Sequence, residues 1–373
     1  MAVVCPIRAA LVCTPRLWHG GEGQLALIAQ GLRTRGHQVT VLARRGGELA
    51  RRLALEGFAV ETFLGRGVNP LGWWKLRRTL VRLKPDLLFL NDPHALTAVS
   101  LAGYGLRDTV RLVARRVNFP IRNVARYQRG CDRVICVSQA VRQVCLNAGL
   151  PPSQLRLVHD GVDPARVRSG DRARGRRSLG LSEQQPLVLC VATLTDPKGH
   201  RYLLEALPAV VSRFPQLRVA LAGDGDLTAV LQAQAKQLGL SGCVQFLGYR
   251  NDVPDLIQAA DLMVIPSHME GLCTSLIDAL FGAKPIVATL AGGIPELVGP
   301  RDGEPEVARL VSPCDPQALA VALCEALANP DAMRLLAERG RLRAERLFTA
   351  DRMVDQLLDV YAEVLAERQV FPS

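Results

Sequence analysis

The chain has 373 residues, 49% of them apolar and 22% charged, with a net charge of +11. That length suits two domains of ordinary size, and the composition excludes a disordered tail or a low-complexity protein. No uninterrupted apolar run reaches the roughly 18 residues of a membrane span, and Pro6 and Arg8 break the opening stretch as a secretory signal.

Ten cysteines are scattered without a CxxC pair, and six histidines show no metal-type spacing. This points to a reducing, cytoplasmic compartment without a disulfide framework or structural zinc. Residues 1–180 carry 30 Lys and Arg against 11 Asp and Glu, whereas residues 181–373 carry 16 against 24. A basic front half of that kind fits an anionic partner: nucleic acid, a phosphorylated sugar or an anionic membrane surface.

In chain order, the first half predicts strands at 9–14, 38–43, 86–91, 110–115 and 133–138, with helices at 22–35, 72–83, 94–103, 120–129 and 139–148 between them. Continuous apolar strands alternating with helices predict a parallel sheet covered on both faces. Gly20, Gly21 and Gly23 lie in the first strand-to-helix turn, where glycine lets a ligand approach the backbone; a merely tight connection explains them equally. Trp73 and Trp74 stand beside Lys75, Arg77, Arg78, Arg82 and Lys84, a composition suited to a headgroup interface through residues 71–84. The alternative is a helix packed by Leu76, Leu80 and Leu83 with a solvated basic face. His94 follows the strand DLLFLN; it reads either as a helix-start residue bonded to backbone or as a ligand-side group at a strand end.

LRLVHDGVD (155–163) closes this half, and the arginine-rich stretch after it reads as a linker and entry to a second domain. The rhythm then restarts, with strands at 186–192, 217–223, 243–248, 261–266, 285–289 and 307–311, helices between and after them, and a final amphipathic helix at 350–367. In the stretch 189–207 a strand runs into a loop with Lys198 and Gly199. A lysine there reaches a phosphate, or is simply a solvated turn residue. The segment 261–296 is the most informative. A buried strand ends at Pro266, a loop carries Glu270 and Gly271, and a helix begins near Thr274 and Ser275. The free amides and positive dipole end of that helix form a cradle for phosphate. Glu270 and Asp278 flank it; like charge bars them from binding phosphate, but carboxylates accept well from sugar hydroxyls. Taken alone, Asp278 reads as a solvated helix acid.

The pieces GGEGQLALIAQGLRTRGHQVTVL, KPDLLFLNDPHA, RVICVSQAVRQ, LRLVHDGVD, ATLTDPKGHRYLLEAL, FLGYRNDVPDLIQAADLMVIPS and HMEGLCTSLIDALFGAKPIVATLAGGIPELV, with a final helix ending DVYAEV, span nearly the whole chain. In this order they resemble the retaining GT-B glycosyltransferases of family four. The resemblance implies an α/β GT-B fold of two doubly wound Rossmann-like domains facing across a cleft: 1–165 on the acceptor side, 166–349 for the nucleotide sugar, and 350–373 as a helix crossing back to the first. It implies transfer from a nucleotide diphosphate sugar, UDP favoured over GDP, to a hydroxyl acceptor, lipid-linked or on a cell-envelope glycan, with retention of configuration. No cofactor, metal or nucleic acid is expected. The expected location is the cytoplasm or the inner membrane face.

By the same resemblance, Lys198 pairs with the donor diphosphate, Glu270 approaches hydroxyls of the donor sugar, and backbone amides of Leu272, Cys273, Thr274 and Ser275 hold the distal phosphate. Asp278 holds the ribose, Gly20 and Gly21 face the donor, His94 sits by the reacting sugar, and Tyr249 and Arg250 line the base. Two positions depart from the family pattern: Asp278 stands where glutamate is usual, and Thr193, in Ala192-Thr193-Leu194, where an arginine often precedes the lysine. Three other classes stay open. An epimerase alters the donor sugar without an acceptor, a phosphorylase shows pyridoxal absorbance, and a non-catalytic binding subunit holds donor without turning it over.

Overall fold

Strand order in the two sheets explains where ligand loops gather. The computed structural model describes residues 6–64 and 69–370; the opening residues 1–5 and the last residues 371–373 of the predicted segments lie outside these. Seven strands form the first sheet: β1 (Arg8–Cys13), β2 (Gln38–Arg44), β3 (Ala59–Phe63), β4 (Leu87–Leu90), β5 (Val110–Arg115), β6 (Arg133–Cys136) and β7 (Leu155–Leu157), in the order β3-β2-β1-β4-β5-β6-β7. Six form the second: β8 (Leu187–Val191), β9 (Arg218–Ala222), β10 (Val244–Gly248), β11 (Leu262–Ile265), β12 (Ile286–Thr289) and β13 (Arg309–Val311), in the order β10-β9-β8-β11-β12-β13. All neighbouring strands are parallel. Each sheet reverses its winding once, between β1 and β4 and between β8 and β11, and at such a point the loops leaving the strands' carboxyl ends splay apart and leave a crevice.

The chain divides into two compact units, one of residues up to 161 together with those from 350 on, the other of residues 162–349. The first is built on Leu11, Val12, Leu88, Phe89, Leu112 and Val113 of its central strands, all essentially solvent-free. Helix Ala350–Val370 completes that core with Met353, Val354, Leu357, Val360, Tyr361 and Val364 on one stripe. It packs against helix Gly20–Thr34, where a Cβ on Gly31 would stand 2.6 Å from Val354 Cγ2. The second unit's core centres on Val188, Cys190, Leu221, Val264 and Val287. Such β-branched and aliphatic runs suit strands covered on both faces.

The structure departs from the sequence prediction in two places. The arginine-rich stretch is no linker: it folds as helices Pro164–Arg168 and Arg172–Ser178, and Arg176 is buried, donating to the carbonyls of Ser182, Gln185 and Ala259. The strand β3 and helix Glu48–Leu55 were not anticipated; β3 is a half-exposed edge whose Glu61 interrupts any apolar run. The charge asymmetry also weakens in three dimensions. Acids of the last helix return to the first unit, Asp351 and Asp355 to Arg35 and Glu363 to Arg133 and Arg156. Arg168 and Arg174 are paired with Glu345 and Asp255. All nine described cysteines are free thiols, and among the described residues no cluster of His, Cys, Asp and Glu is arranged to hold a metal ion.

Candidate functional site

In the second unit, two loops leave the sheet at its reversal point and are stitched together. After β8 the chain makes a short turn over Asp196–Lys198, passes Gly199 and enters helix His200–Arg213. After β11 it passes Pro266 to Gly271 and enters helix Thr274–Phe281. The amides of His268 and Met269 donate to the Pro197 carbonyl at 2.9 and 3.2 Å, and His268 Nε2 lies 3.1 Å from Asp196 Oδ2. Lys198 Nζ then donates to Glu270 Oε1 at 2.7 Å, and Ser267 Oγ donates to the same oxygen at 2.9 Å.

Glu270 is buried at 5% exposure, whereas the Lys198 side chain keeps a quarter of its surface. Burial pulls the ammonium down, but the charge and hydrogen bond of Glu270 outweigh it and hold Lys198 above its ordinary value. An ammonium has three donors, and Glu270 occupies one. The adjoining helix adds more. Among the described residues the amides of Leu272, Cys273, Thr274 and Ser275 have no acceptor, and those of Leu276 and Ile277 already bond the Cys273 carbonyl. No acidic side chain lies in the first turn to fill that positive end. Cys273 is a packing thiol, its pKa pushed up to about 12 by burial and then by the Glu270 charge.

Asp278, read from sequence as solvated when taken alone, is buried and ion-paired with Arg166, which the sequence did not suggest. Burial lifts its carboxyl above the ordinary range, and the guanidinium offsets only part. His200 starts its helix and is buried against Cys190; burial and the nearby Lys198 charge lower it to about 4, so it is neutral. Thr193 lies two residues beyond β8, at the start of its loop, with its hydroxyl 3.4 Å from that of Thr195. Tyr249 and Arg250 follow β10, two strands from β8; Tyr249 is half exposed, and Arg250 is held by Asp252 and by Ser178 Oγ at 3.1 Å.

The first unit repeats the logic at β1 and β4. Gly20 and Gly21 open helix Gly20–Thr34 after β1. His94 lies in the first turn of helix Pro93–Ala102 after β4, exposed, with its amide donating to the capping Asp92 at 2.9 Å. Asp92 also accepts from Thr14 N at 3.0 Å and Thr14 Oγ1 at 2.7 Å, tying the two loops. Asn91, Arg116 and Asp160, which the sequence did not single out, form a largely buried network beside them. Their only sequence signal was position: each is a polar residue at or just beyond a strand's carboxyl end.

Comparison with known proteins bears on this geometry. The glycosyl transferases group 1 model matches residues 171–343, and the glycosyltransferase family 4 model matches residues 18–166. The chain belongs to the group 1, family 4 glycosyltransferases. The lipopolysaccharide core biosynthesis glycosyltransferase LpsE of Rhizobium meliloti is 26% identical over 92% of this chain and 96% of its own. A D-inositol 3-phosphate glycosyltransferase of Geodermatophilus obscurus is 31% identical over 80% of this chain and 64% of its own. Against other curated family members the chain spans about half their length, between 44% and 55%. Anabaena Alr3699/HepE, solved in complex with UDP and glucose, superposes with a TM-score of 0.82 at 22% identity, covering 96% of this chain and all of that one. That likeness confirms two Rossmann-like parallel sheets of the GT-B fold.

Proposed function

We propose that this glycosyltransferase moves a sugar from a nucleotide diphosphate sugar, with UDP favoured over GDP, to a hydroxyl of a lipid-linked or cell-envelope glycan, retaining configuration. The observation that carries this reading is the pairing of Lys198 with buried Glu270 beside an unfilled helix amino terminus. Departure of the sugar leaves a diphosphate whose charge needs stabilising. The two remaining Lys198 donors and the amides of residues 272–275 supply fixed positive partners there, without a metal or other cofactor in this reading. Glu270 has its second carboxylate oxygen for a sugar hydroxyl, and Asp278, anchored through Oδ1 to Arg166, has Oδ2 for the ribose. Gly20, Gly21 and His94 are assigned to the donor in this reading, and Tyr249 flanks the base. The UDP and glucose bound to HepE support the choice of nucleotide, and LpsE's role in lipopolysaccharide core biosynthesis supports the acceptor class. A thermal-shift comparison of UDP, GDP and ADP tests the donor: at 100 times its Kd a nucleotide adds about 2.7 kcal/mol of stability. UDP is expected to raise Tm most; no shift with any of the three removes the reading.

The same reading places the acceptor near an anionic membrane surface. No helix among the described residues is long and apolar enough to cross a membrane. Helix Pro70–Leu83, however, exposes Leu71 and Trp74, with Arg78 stacked 5.4 Å from the Trp74 ring. Leu76 and Leu80 face inward, Arg77 is committed to the carbonyls of Ala102 and Tyr104, and Arg82 pairs with Glu61. Each remaining cation near an anionic leaflet adds about 1 kcal/mol. Co-sedimentation is expected with phosphatidylglycerol vesicles and not with phosphatidylcholine, and to be lost in Leu71→Glu/Trp74→Glu. Equal sedimentation of parent and variant discards the membrane face.

A further inference from the structure

Four residues far apart in sequence form one hydrogen-bonded chain at the reversal point of the first sheet, with Asn91 and Asp160 buried and Arg116 and Gly21 partly so. Asp160, 4% exposed, accepts from Arg116 Nε on both oxygens, at 3.0 and 3.1 Å. The same guanidinium turns Nη1 to Asn91 Oδ1 at 2.7 Å. Asn91, 6% exposed and fixed by its own amide to the Val12 carbonyl at 2.9 Å, donates from Nδ2 to the Gly21 carbonyl at 3.2 Å. The relay therefore runs from the loop after β7, through the ends of β5 and β4, to the glycine turn that opens helix Gly20–Thr34. Asn91 also precedes Asp92, whose carboxylate caps the helix bearing His94.

The arrangement is more directed than packing requires. A guanidinium is a planar fork, so bonding Asp160 through Nε and Asn91 through Nη1 fixes the plane of the Asn91 amide and the end that faces Gly21. The free space at Gly21 fits the same purpose. A Cβ there would meet Asn91 Nδ2 at 3.8 Å and Arg116 Cδ at 4.0 Å, ordinary contacts, so the protein's own packing does not demand glycine at this turn. We propose that Arg116 and Asp160 are positioning residues which, through Asn91, hold the Gly20–Gly21 turn and the loop leading to His94 in the geometry that sugar transfer uses. This rests on the functional reading above. It assigns the network an effect on turnover and none on nucleotide affinity, because the phosphate-binding groups belong to the second unit.

Asn91→Asp isolates the last link. Aspartate keeps an acceptor for Arg116 and loses the side-chain donor to the Gly21 carbonyl. Arg116→Lys is the companion variant, since one ammonium cannot reproduce the fork to both partners. Hydrogen exchange of the peptide spanning residues 15–30 is measured beside turnover of UDP-glucose and the Kd for UDP. We expect exchange at residues 20–23 to quicken at least tenfold in both variants, turnover to fall 30-fold or more, and the Kd for UDP to stay within twofold of the parent. Unchanged exchange in folded Asn91→Asp overturns the positioning role, whatever the activity. Quickened exchange with turnover within threefold of the parent overturns its catalytic part. A parent that neither binds UDP nor transfers sugar instead defeats the functional reading, and the exchange arm still decides whether the network holds the turn.

Discussion

Lys198→Ala is expected to lower turnover about 10²- to 10³-fold, the range seen when one preorganised electrostatic partner of a developing charge is removed. The variant also loses stability. Glu270 stays buried with only Ser267 Oγ as a side-chain partner, and stranding one half of a fully buried pair costs about 3–5 kcal/mol. Lys198 keeps a quarter of its side-chain surface in solvent, so about 1–3 kcal/mol is expected here after screening is taken into account. Activity and stability then fall together, and the single variant leaves the two roles tangled. The double variant Lys198→Met/Glu270→Gln separates them. A neutral pair of similar volume removes the stranded charge, so its denaturation midpoint should return to within about 1 kcal/mol of the parent. Its turnover should not recover, because methionine offers a leaving diphosphate no proton. Recovery of both quantities would make the pair a structural one. Lys198→Ala with parental turnover would remove the site altogether.

Legibility in the sequence follows from how local each signal is. Runs such as LVLCV and LMVI are buried on both faces, so their apolar character is continuous and shows without any tertiary knowledge. Lys198, Glu270 and the helix start at Thr274 sit where a strand hands over to a helix, and each local pattern marks a ligand loop. What the sequence withholds is the pairing. Lys198 and Glu270 are 72 residues apart, Arg116 and Asp160 44, Asn91 and Gly21 70. Only the strand orders, with β8 beside β11, β1 beside β4 and β5-β6-β7 in succession, bring such residues together. Arg166 shows the cost of reading composition alone. Within an arginine-rich run it looked like part of a solvated linker, yet helix Pro164–Arg168 aims it at Asp278. Strand β3 escaped because an edge strand with one wet face has no continuous apolar run to betray it.

Gly292→Ala is expected to damage the site from beneath. Gly292 follows β12 with a φ of +52°, the left-handed region, where an L-residue costs about 1–2 kcal/mol. The larger effect is steric. A Cβ built there falls 1.9 Å from the Glu270 carbonyl oxygen, 2.8 Å from its carbonyl carbon and 3.0 Å from its amide nitrogen. No rotamer relieves a collision with backbone, so the Glu270 segment has to move, and its carboxylate leaves a position set by bonds of 2.7 Å to Lys198 and 2.9 Å to Ser267. Gly239→Ala is the matched control: its φ is +70° and nothing lies within 4 Å of the added carbon. It should lose only about 1–2 kcal/mol and keep parental turnover. Gly292→Ala should lose about 3 kcal/mol or more, in the range reserved for collisions and backbone strain, with turnover at least 10²-fold down in whatever protein remains folded. Denaturant midpoints and single-turnover rates for the two alanine variants decide the matter. If they match, the glycine at 292 serves only the left-handed turn, and the Glu270 backbone is not held in place by the close approach of the chain beneath it.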